Sequence, residues 1–120
     1  GWIFKGGISH GGTTYYFICY GPGLVSNYCS NLPDSLVYMT SCDGTYNPTM
    51  GNAYLGVGAK AYMGWDDPVT VNHGNRYAVN NFDMFCEKGY TVQQVKDNTP
   101  KDWFTGARLT YYGDGSLTLI

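Results

Sequence analysis

Residues 35–44 read SLVYMTSCDG, a short apolar run followed by a cysteine, an acid and a glycine. A continuous apolar run of this length is typical of a strand that is covered on both faces, as in a parallel sheet. Cys42 then falls at the carboxyl end of the predicted strand, which is the edge where reactive residues collect in open α/β sheets. The segment therefore predicts a buried strand and a candidate nucleophile together.

Extended and helical patterns alternate on both sides of this strand. Extended runs rich in β-forming residues predict further strands, at residues 2–9, 13–20 (TTYYFICY), 59–65, 108–112 and 116–120. Apolar residues at helical spacing predict helices, at residues 49–57, 75–88 and 91–96. Thr91 is placed to cap the last helix, and Gly113-Asp114-Gly115 is the expected turn between the last two strands.

This alternation predicts an α/β fold in which right-handed βαβ units build a mostly parallel sheet. The 120 residues suffice for one domain, over residues 1–120. A chain of this length supplies only a few parallel strands. One edge of the sheet therefore stays open unless a second copy or a companion chain covers it.

Composition excludes several classes of function. Only 13% of the residues are charged and the net charge is −2, which differs from the basic surface of a nucleic-acid-binding protein. No run of about eighteen apolar residues is present, so no membrane span is expected. The cysteines and histidines lack the spacing of a zinc site, and we expect neither a metal nor a cofactor.

Low charge combines with 12 tyrosines and 17 glycines. Such a surface is solubilised by hydroxyl and amide groups, which favours a secreted or cell-surface protein, and it leaves room for self-association through aromatic residues. Cys19 and Cys29 flank Gly21-Pro22-Gly23 and could pair across that turn. In an oxidising compartment such a disulfide would stabilise the fold by roughly 2–4 kcal/mol.

His10 is the second residue with candidate chemistry, because it closes the first predicted strand and precedes Gly11-Gly12. Glycine beside a reactive residue lets a backbone N–H approach a substrate carbonyl and form part of an oxyanion hole. A thiol needs a base or a cation nearby to become a thiolate near neutral pH, and imidazole serves as that base. His73 is the rival partner for Cys42, since the chain has only two histidines.

The order of these motifs resembles the caspase-like cysteine peptidases of clan CD, and most of all their gingipain-like and CHAT-type members. Those domains share a strand ending in His-Gly and a later strand ending in Cys-x-Gly, here His10-Gly11 and Cys42-Asp43-Gly44. The likeness continues through GNAYLGVGAKAYMGWDDPV (51–69), FDMFCEKGYTVQQVKDN (82–98) and YYGDGSLTLI (111–120). The chain would correspond to the C-terminal half of such a domain.

The resemblance implies a caspase-like three-layer fold that is incomplete at its N-terminal side. It also implies a cysteine endopeptidase acting on a peptide or protein substrate, with Cys42 as nucleophile and His10 protonating the leaving amine. The Gly11 N–H would help bind the oxyanion. In several members the loop after the strand at 59–65 shapes the substrate pocket, and the residues there are Trp65, Asp66 and Asp67, which would favour Arg or Lys at P1.

A second hypothesis assigns no catalysis to the chain. Low charge, abundant tyrosine and an incomplete sheet suit an extracellular structural subunit that self-assembles by strand addition into a surface layer, sheath or fibre. A third, a carbohydrate-binding or inhibitor-like β domain, conflicts with the helical spacing at residues 49–57 and 75–88. The separation of the His10 ring and the Cys42 sulfur distinguishes the first two hypotheses: roughly 4–7 Å in an open cleft supports a dyad, and since dyads are often loose without substrate, a moderately longer gap does not exclude one.

Overall fold

The computed structural model describes residues 3–29 and 31–120. Strands and helices follow one another along that part of the chain. The strands are β1 (Ile3–His10), β2 (Thr13–Tyr20), β3 (Leu36–Tyr38), β4 (Ala61–Trp65) and β5 (Leu109–Gly113). The helices are α1 (Pro22–Tyr28), α2 (Thr49–Gly56), α3 (Val71–Cys86) and α4 (Val92–Asp97).

The main sheet has the strand order β3-β4-β5 and is mixed. β3 runs parallel to β4, whereas β5 runs antiparallel to it. The prediction of an α/β fold is confirmed, but that of a mostly parallel sheet is wrong. The loop after α4 brings the chain back to the carboxyl end of β4, where Asp66 N donates to Arg108 O at 3.0 Å. A strand that enters from that end must run antiparallel.

Helices cover both faces of β4, so its five residues are all buried. On one face the side chains of β4 pack against α3, α4 and β5 in the main core, which comprises Ala61, Met63, Trp65, Met84, Phe85, Val92, Val95, Ala107 and Leu109. On the other face Gly51 of α2 lies so close to Tyr62 and Tyr112 that a Cβ there would fall 3.0 Å and 2.7 Å from their rings. The main unit therefore has three layers.

β1 and β2 form a separate antiparallel hairpin that does not join the main sheet. Pairing runs from Ile3 opposite Tyr20 to His10 opposite Thr13. Gly11 and Gly12 make the turn with φ of +59° and +80°, a backbone shape that a two-residue type I′ turn requires and that glycine adopts without strain. Both predicted strands are present, although Trp2 lies outside the described residues.

Four local predictions differ from the structure. The strand expected over residues 35–41, buried on both faces, is the half-buried strand Leu36–Tyr38, because β3 lies at the edge of the described sheet. Residues 21–23 are not a simple turn, because Pro22 begins α1, where its missing N–H needs no partner. α3 begins at Val71 instead of residue 75, capped by the Thr70 side chain. Residues 116–120 are not a strand, since the chain turns back onto α4 and Leu117 O accepts from Val92 N at 3.0 Å.

Candidate functional site

Cys42 lies in the loop that follows β3, at the carboxyl edge of the parallel strand pair. Its Sγ accepts a hydrogen bond from Val69 N at 3.3 Å and lies 3.4 Å from Val69 O, to which the thiol donates. Beside it, Asp43 N donates to Asp67 O at 3.3 Å. The thiol thus fastens the loop after β3 to the loop after β4, which is a structural role.

A cavity of about 350 Å³ opens beside Cys42. Its lining includes side chains from the hairpin end, the loop after β3, α2 and β4: Tyr20, Met39, Cys42, Asn47, Met50 and Tyr62. Neither His10 nor His73 is among the lining residues. The thiol therefore faces a cavity with room for a peptide side chain, but no histidine stands in that cavity as a base.

His10 stands at the exposed tip of the hairpin. Ile3, opposite Tyr20, marks the other end of β1, and Tyr20 is the hairpin residue that lines the Cys42 cavity. At about 3.3 Å per residue, the strand carries His10 roughly 20 Å along the hairpin from that end. The structure does not bring His10 and Cys42 together, and Gly11 in the turn is equally remote. Local hairpin pairing takes β1 out of the main sheet and causes this separation.

His73 is held in place by the core of the main unit. Its Nε2 lies 3.0 Å from Pro100 O, and its ring packs against Trp65 and Tyr77 at centroid distances of 5.2 and 4.6 Å. It lines a separate cavity of about 210 Å³ with Asp102. His73 is thus a packed helix residue that does not contact Cys42.

The residues expected to shape a substrate pocket have other contacts. Trp65 is 0% exposed and belongs to the main core, so it is not accessible to a substrate. Asp66 Oδ1 accepts a hydrogen bond from Arg108 N at 2.8 Å and anchors the start of β5. Asp67 is exposed, and its backbone carbonyl accepts from Asp43 N. These two acids order the loop next to Cys42 and do not line its cavity.

All four cysteines, including Cys19 and Cys29, are free thiols. The predicted bridge is not formed because α1, seven residues long, stands between the two. At 1.5 Å per residue that helix spans about 10 Å, more than disulfide geometry permits between Cα atoms. In addition, the Cys19 sulfur packs over Gly6 within the hairpin.

Asp102 is a buried acid that the sequence reasoning missed. Its carboxylate accepts hydrogen bonds from Thr70 N at 2.8 Å and Phe104 N at 2.9 Å. The bond from Thr70, supported by that from Phe104, lowers the pKa of Asp102 to about 2. The hydrogen bond from Phe104 N, two residues ahead of Asp102, forms an Asx-turn. Aspartate is common at the start of such turns, and this preference is the sequence signal that could have identified the residue.

A row of tyrosines connects the hairpin to the main unit. The hydroxyls of Tyr20 and Tyr54 are 3.2 Å apart, and Tyr54 stacks on Tyr62 at 5.9 Å between ring centroids. Burial, followed by the hydrogen bond with Tyr20, raises the pKa of Tyr54. The phenol therefore stays protonated at neutral pH, and the hairpin is attached by a neutral hydrogen bond.

The remainder of the hairpin is exposed and apolar. Eight large side chains of β1 and β2 are each at least 44% exposed: Ile3, Phe4, Ile8, Tyr15, Tyr16, Phe17, Ile18 and Tyr20. We call this set the hairpin surface. Ile18, at 84%, is its most exposed member. No other element of the chain presents so many large apolar side chains among the described residues.

Comparison with protein-family models, with curated proteins and with solved structures finds no match to this chain. In the described ranges, no cluster of three or more His, Cys, Asp or Glu side chains is placed to hold a metal ion. Those ranges also contain no helix with the length and apolar character needed to cross a membrane.

Proposed function

We propose that this chain is an extracellular structural subunit that self-associates through its hairpin by strand addition. The single observation that carries the proposal is the hairpin surface, eight large apolar side chains left exposed on two strands of eight residues each. Folding removes such side chains from water whenever the chain can cover them. A second copy of the same hairpin supplies that cover.

Both faces of the hairpin are apolar. Side chains alternate between faces along each strand, and the register pairs odd residues of β1 with even residues of β2. One face therefore carries Ile3, Tyr16, Ile18 and Tyr20, and the other carries Phe4, Ile8, Tyr15 and Phe17. Because a single α/β unit can cover only one face of a projecting hairpin, at least one face needs a partner.

The size of the hairpin surface matches a stable interface. At roughly 200 Å² for a large side chain, the exposed fractions leave about 900 Å² of mostly apolar surface in water. Each face of the hairpin accounts for about half of that area, which is in the range of the largest apolar patch on a typical monomer, about 300–600 Å². A stable protein–protein interface buries about 800 Å² on each partner, so a stable assembly engages both faces of the hairpin.

Charge and backbone geometry favour a second copy as the occupant. The hairpin contains no acid and a single lysine, Lys5, so two hairpins approach each other with little repulsion. Each strand of a two-stranded sheet also has one edge whose N–H and C=O groups point outward. The run Thr13–Tyr20 has no charge, glycine or proline to protect that edge.

Sedimentation of a single-charge variant tests the proposal. Ile18→Lys places a charge at the most exposed position of the hairpin surface and is expected to weaken self-association at least tenfold. Val79→Lys is the matched control, because Val79 is 72% exposed on α3. The proposal predicts assemblies for the native chain and for Val79→Lys, and monomers for Ile18→Lys. A monomeric native chain at high concentration contradicts it.

Cys42 supports a second candidate, the caspase-like cysteine peptidase. Its thiol lies in the loop after β3, on the side of the carboxyl ends of the parallel strand pair, and lines a cavity. β3 is the last strand on its side of the described sheet, where the strands preceding His10 in a complete caspase-like domain would add. For this second candidate, a companion polypeptide that adds beside β3 completes the site and brings a base to the Cys42 thiol.

Active-site labelling separates the two candidates. A peptidyl acyloxymethyl ketone with Arg or Lys at P1 should add one inhibitor mass to a peptidase, and Cys42→Ala should prevent that addition. Cys86→Ala is the control, because Cys86 is also an exposed free thiol. A structural subunit gives no selective labelling of Cys42, and its assembly is indifferent to Cys42→Ala.

A further inference from the structure

Trp103 and Phe104 stand at the tip of the loop between α4 and β5, 84% and 91% exposed. The loop that holds them is ordered by hydrogen bonds. The Asp102 carboxylate accepts from Phe104 N, Asp102 N donates to Ala107 O at 2.9 Å, and Gly106 N donates to Asp102 O at 2.7 Å. Two large aromatic side chains are therefore held away from the core on a fixed turn.

Cations surround this aromatic tip. Lys101 Nζ lies 5.3 Å from the Trp103 ring centroid, and Arg76 lines the same cavity as Trp103 and Phe104. Arg108 lines a neighbouring cavity together with Lys101. Across residues 3–29 and 31–120, none of these three cations takes part in an ion pair. The tip thus presents positive charge that has no internal partner.

The nearby carboxylates are engaged elsewhere. Asp102 is buried and accepts from two backbone N–H groups. Asp66 accepts from Arg108 N, and Asp97 pairs with Lys96 at 4.0 Å and accepts from Gln93. Within the described part of the chain, no carboxylate forms an ion pair with any of the three cations near the tip, so each cation is available to an external anion.

We propose that the Trp103–Phe104 tip is a peripheral contact site for an anionic lipid surface. Aromatic rings partition into the headgroup region of a bilayer, with tryptophan prominent among them, and cations next to them are attracted by anionic lipids. The tip projects as a wedge, a shape that enters a deformable surface. A nucleic acid is the poorer fit, because single strands are bound along a positively charged groove, whereas this tip is a pair of projecting aromatic rings.

Vesicle co-sedimentation tests this site. We expect the native chain to bind vesicles of phosphatidylserine and phosphatidylcholine, and to bind pure phosphatidylcholine at least tenfold more weakly. The double variant Trp103→Ala with Phe104→Ala should lose at least tenfold in binding to the anionic vesicles. Tyr46→Ala is the matched control, since Tyr46 is an exposed aromatic residue, at 71%, in the loop after β3.

Two further arms make the outcome decisive. Trp103→Phe should keep vesicle binding. Brominated lipids should quench its tryptophan fluorescence less than that of the native chain, because the quenched residue Trp103 is gone. Ile18→Lys tests whether the hairpin surface is responsible instead. The proposal is overturned if binding disappears only in Ile18→Lys, if the double variant binds normally, or if phosphatidylcholine alone binds as well. The proposal is also overturned if single-stranded DNA displaces vesicles from the Trp103–Phe104 tip.

Discussion

At the scale of single residues, Asp102 joins two segments that are distant in sequence. Its two oxygens accept from Thr70 N at the start of α3 and from Phe104 N in the loop before β5. Both donors require the ionised carboxylate for full strength, which is why the pKa falls from an ordinary 3.8 to about 2. A side chain of this kind links stability to pH.

Asp102 predicts how stability responds to acid. Its folded-state pKa is depressed, so its contribution is present above the unfolded pKa and is lost as the pH falls through about 4 towards 2. Asp102→Asn removes the charge and replaces one acceptor with a donor, so its Tm should be lower at pH 7. The Tm difference from the native chain should shrink between pH 4 and pH 2. A pH-independent difference in calorimetry would exclude a role for the carboxylate charge.

Cys42 gives a second prediction at this scale. If its thiol mainly joins the loops after β3 and β4 through Val69, Cys42→Ala removes both contacts. The free energy of unfolding in urea should fall by about 0.5–1 kcal/mol. Cys42→Ser keeps a donor and an acceptor and should lose less. Equal stability of all three proteins would show that the contacts with Val69 contribute nothing.

At the scale of elements, α4 depends on its cap. The Thr91 side chain accepts from Gln94 N at 3.1 Å, while Gln94 Oε1 accepts from Thr91 N at 2.9 Å, the reciprocal pair of a capping box. Thr91→Ala should lower the free energy of unfolding by about 1 kcal/mol. The loss is global because α4 supplies Val92 and Val95 to the core. Thr91→Ser is the control and should retain most of the stability in urea denaturation.

The hairpin turn supports another prediction for an element. Gly12 has φ of +80° with nothing within 4 Å of an added Cβ, so Gly12→Ala introduces only backbone strain, about 1–2 kcal/mol. Amide exchange of β1 and β2 should accelerate about tenfold while α3 is unchanged. Gly56→Ala is the control, since Gly56 ends α2 with equal space and no positive φ. Uniform acceleration over the whole chain would argue against an independent hairpin.

At the scale of the whole molecule, the hairpin extends an otherwise compact unit. The Cα radius of gyration is 15.3 Å, whereas a compact chain of this length has about 13.6 Å. Removing residues 1–20 should therefore leave a smaller, folded α/β unit, as measured by X-ray scattering. Its Tm should not depend on concentration, whereas the Tm of the self-associating full chain should rise with concentration. Loss of all cooperative unfolding in the truncated chain would mean that the hairpin is part of the core.

Local patterns predicted the elements well. Runs of β-forming residues predicted β1, β2 and β4, and helical spacing predicted α2, α3 and α4 to within a few residues. These signals work because they depend on neighbours along the chain. The same signals failed at α1 and at residues 116–120, where a proline at a helix start and a contact with Val92 outweighed the local pattern.

The candidate sites were less predictable. The sequence predicted a buried strand over residues 35–41 that ends at Cys42, whereas β3 is a half-buried strand of three residues, Leu36–Tyr38, and Cys42 lies in the loop beyond it. The separation of Cys42 from His10 was missed, although Gly11-Gly12 between two extended runs is a hairpin signal that pairs β1 with β2. Asp102 and the tip at Trp103 and Phe104 were missed because their exposure and bonds arise from packing against α3.

The sequence by itself determined where most strands and helices form, because these properties come from residues close in the chain. Only the tertiary structure decided which strands join the main sheet and which side chains share a cavity. Strand pairing is a choice between edges with equivalent backbone hydrogen bonds. In this chain a two-glycine turn favoured the nearest edge, which left an apolar hairpin outside the main sheet and placed imidazole and thiol far apart.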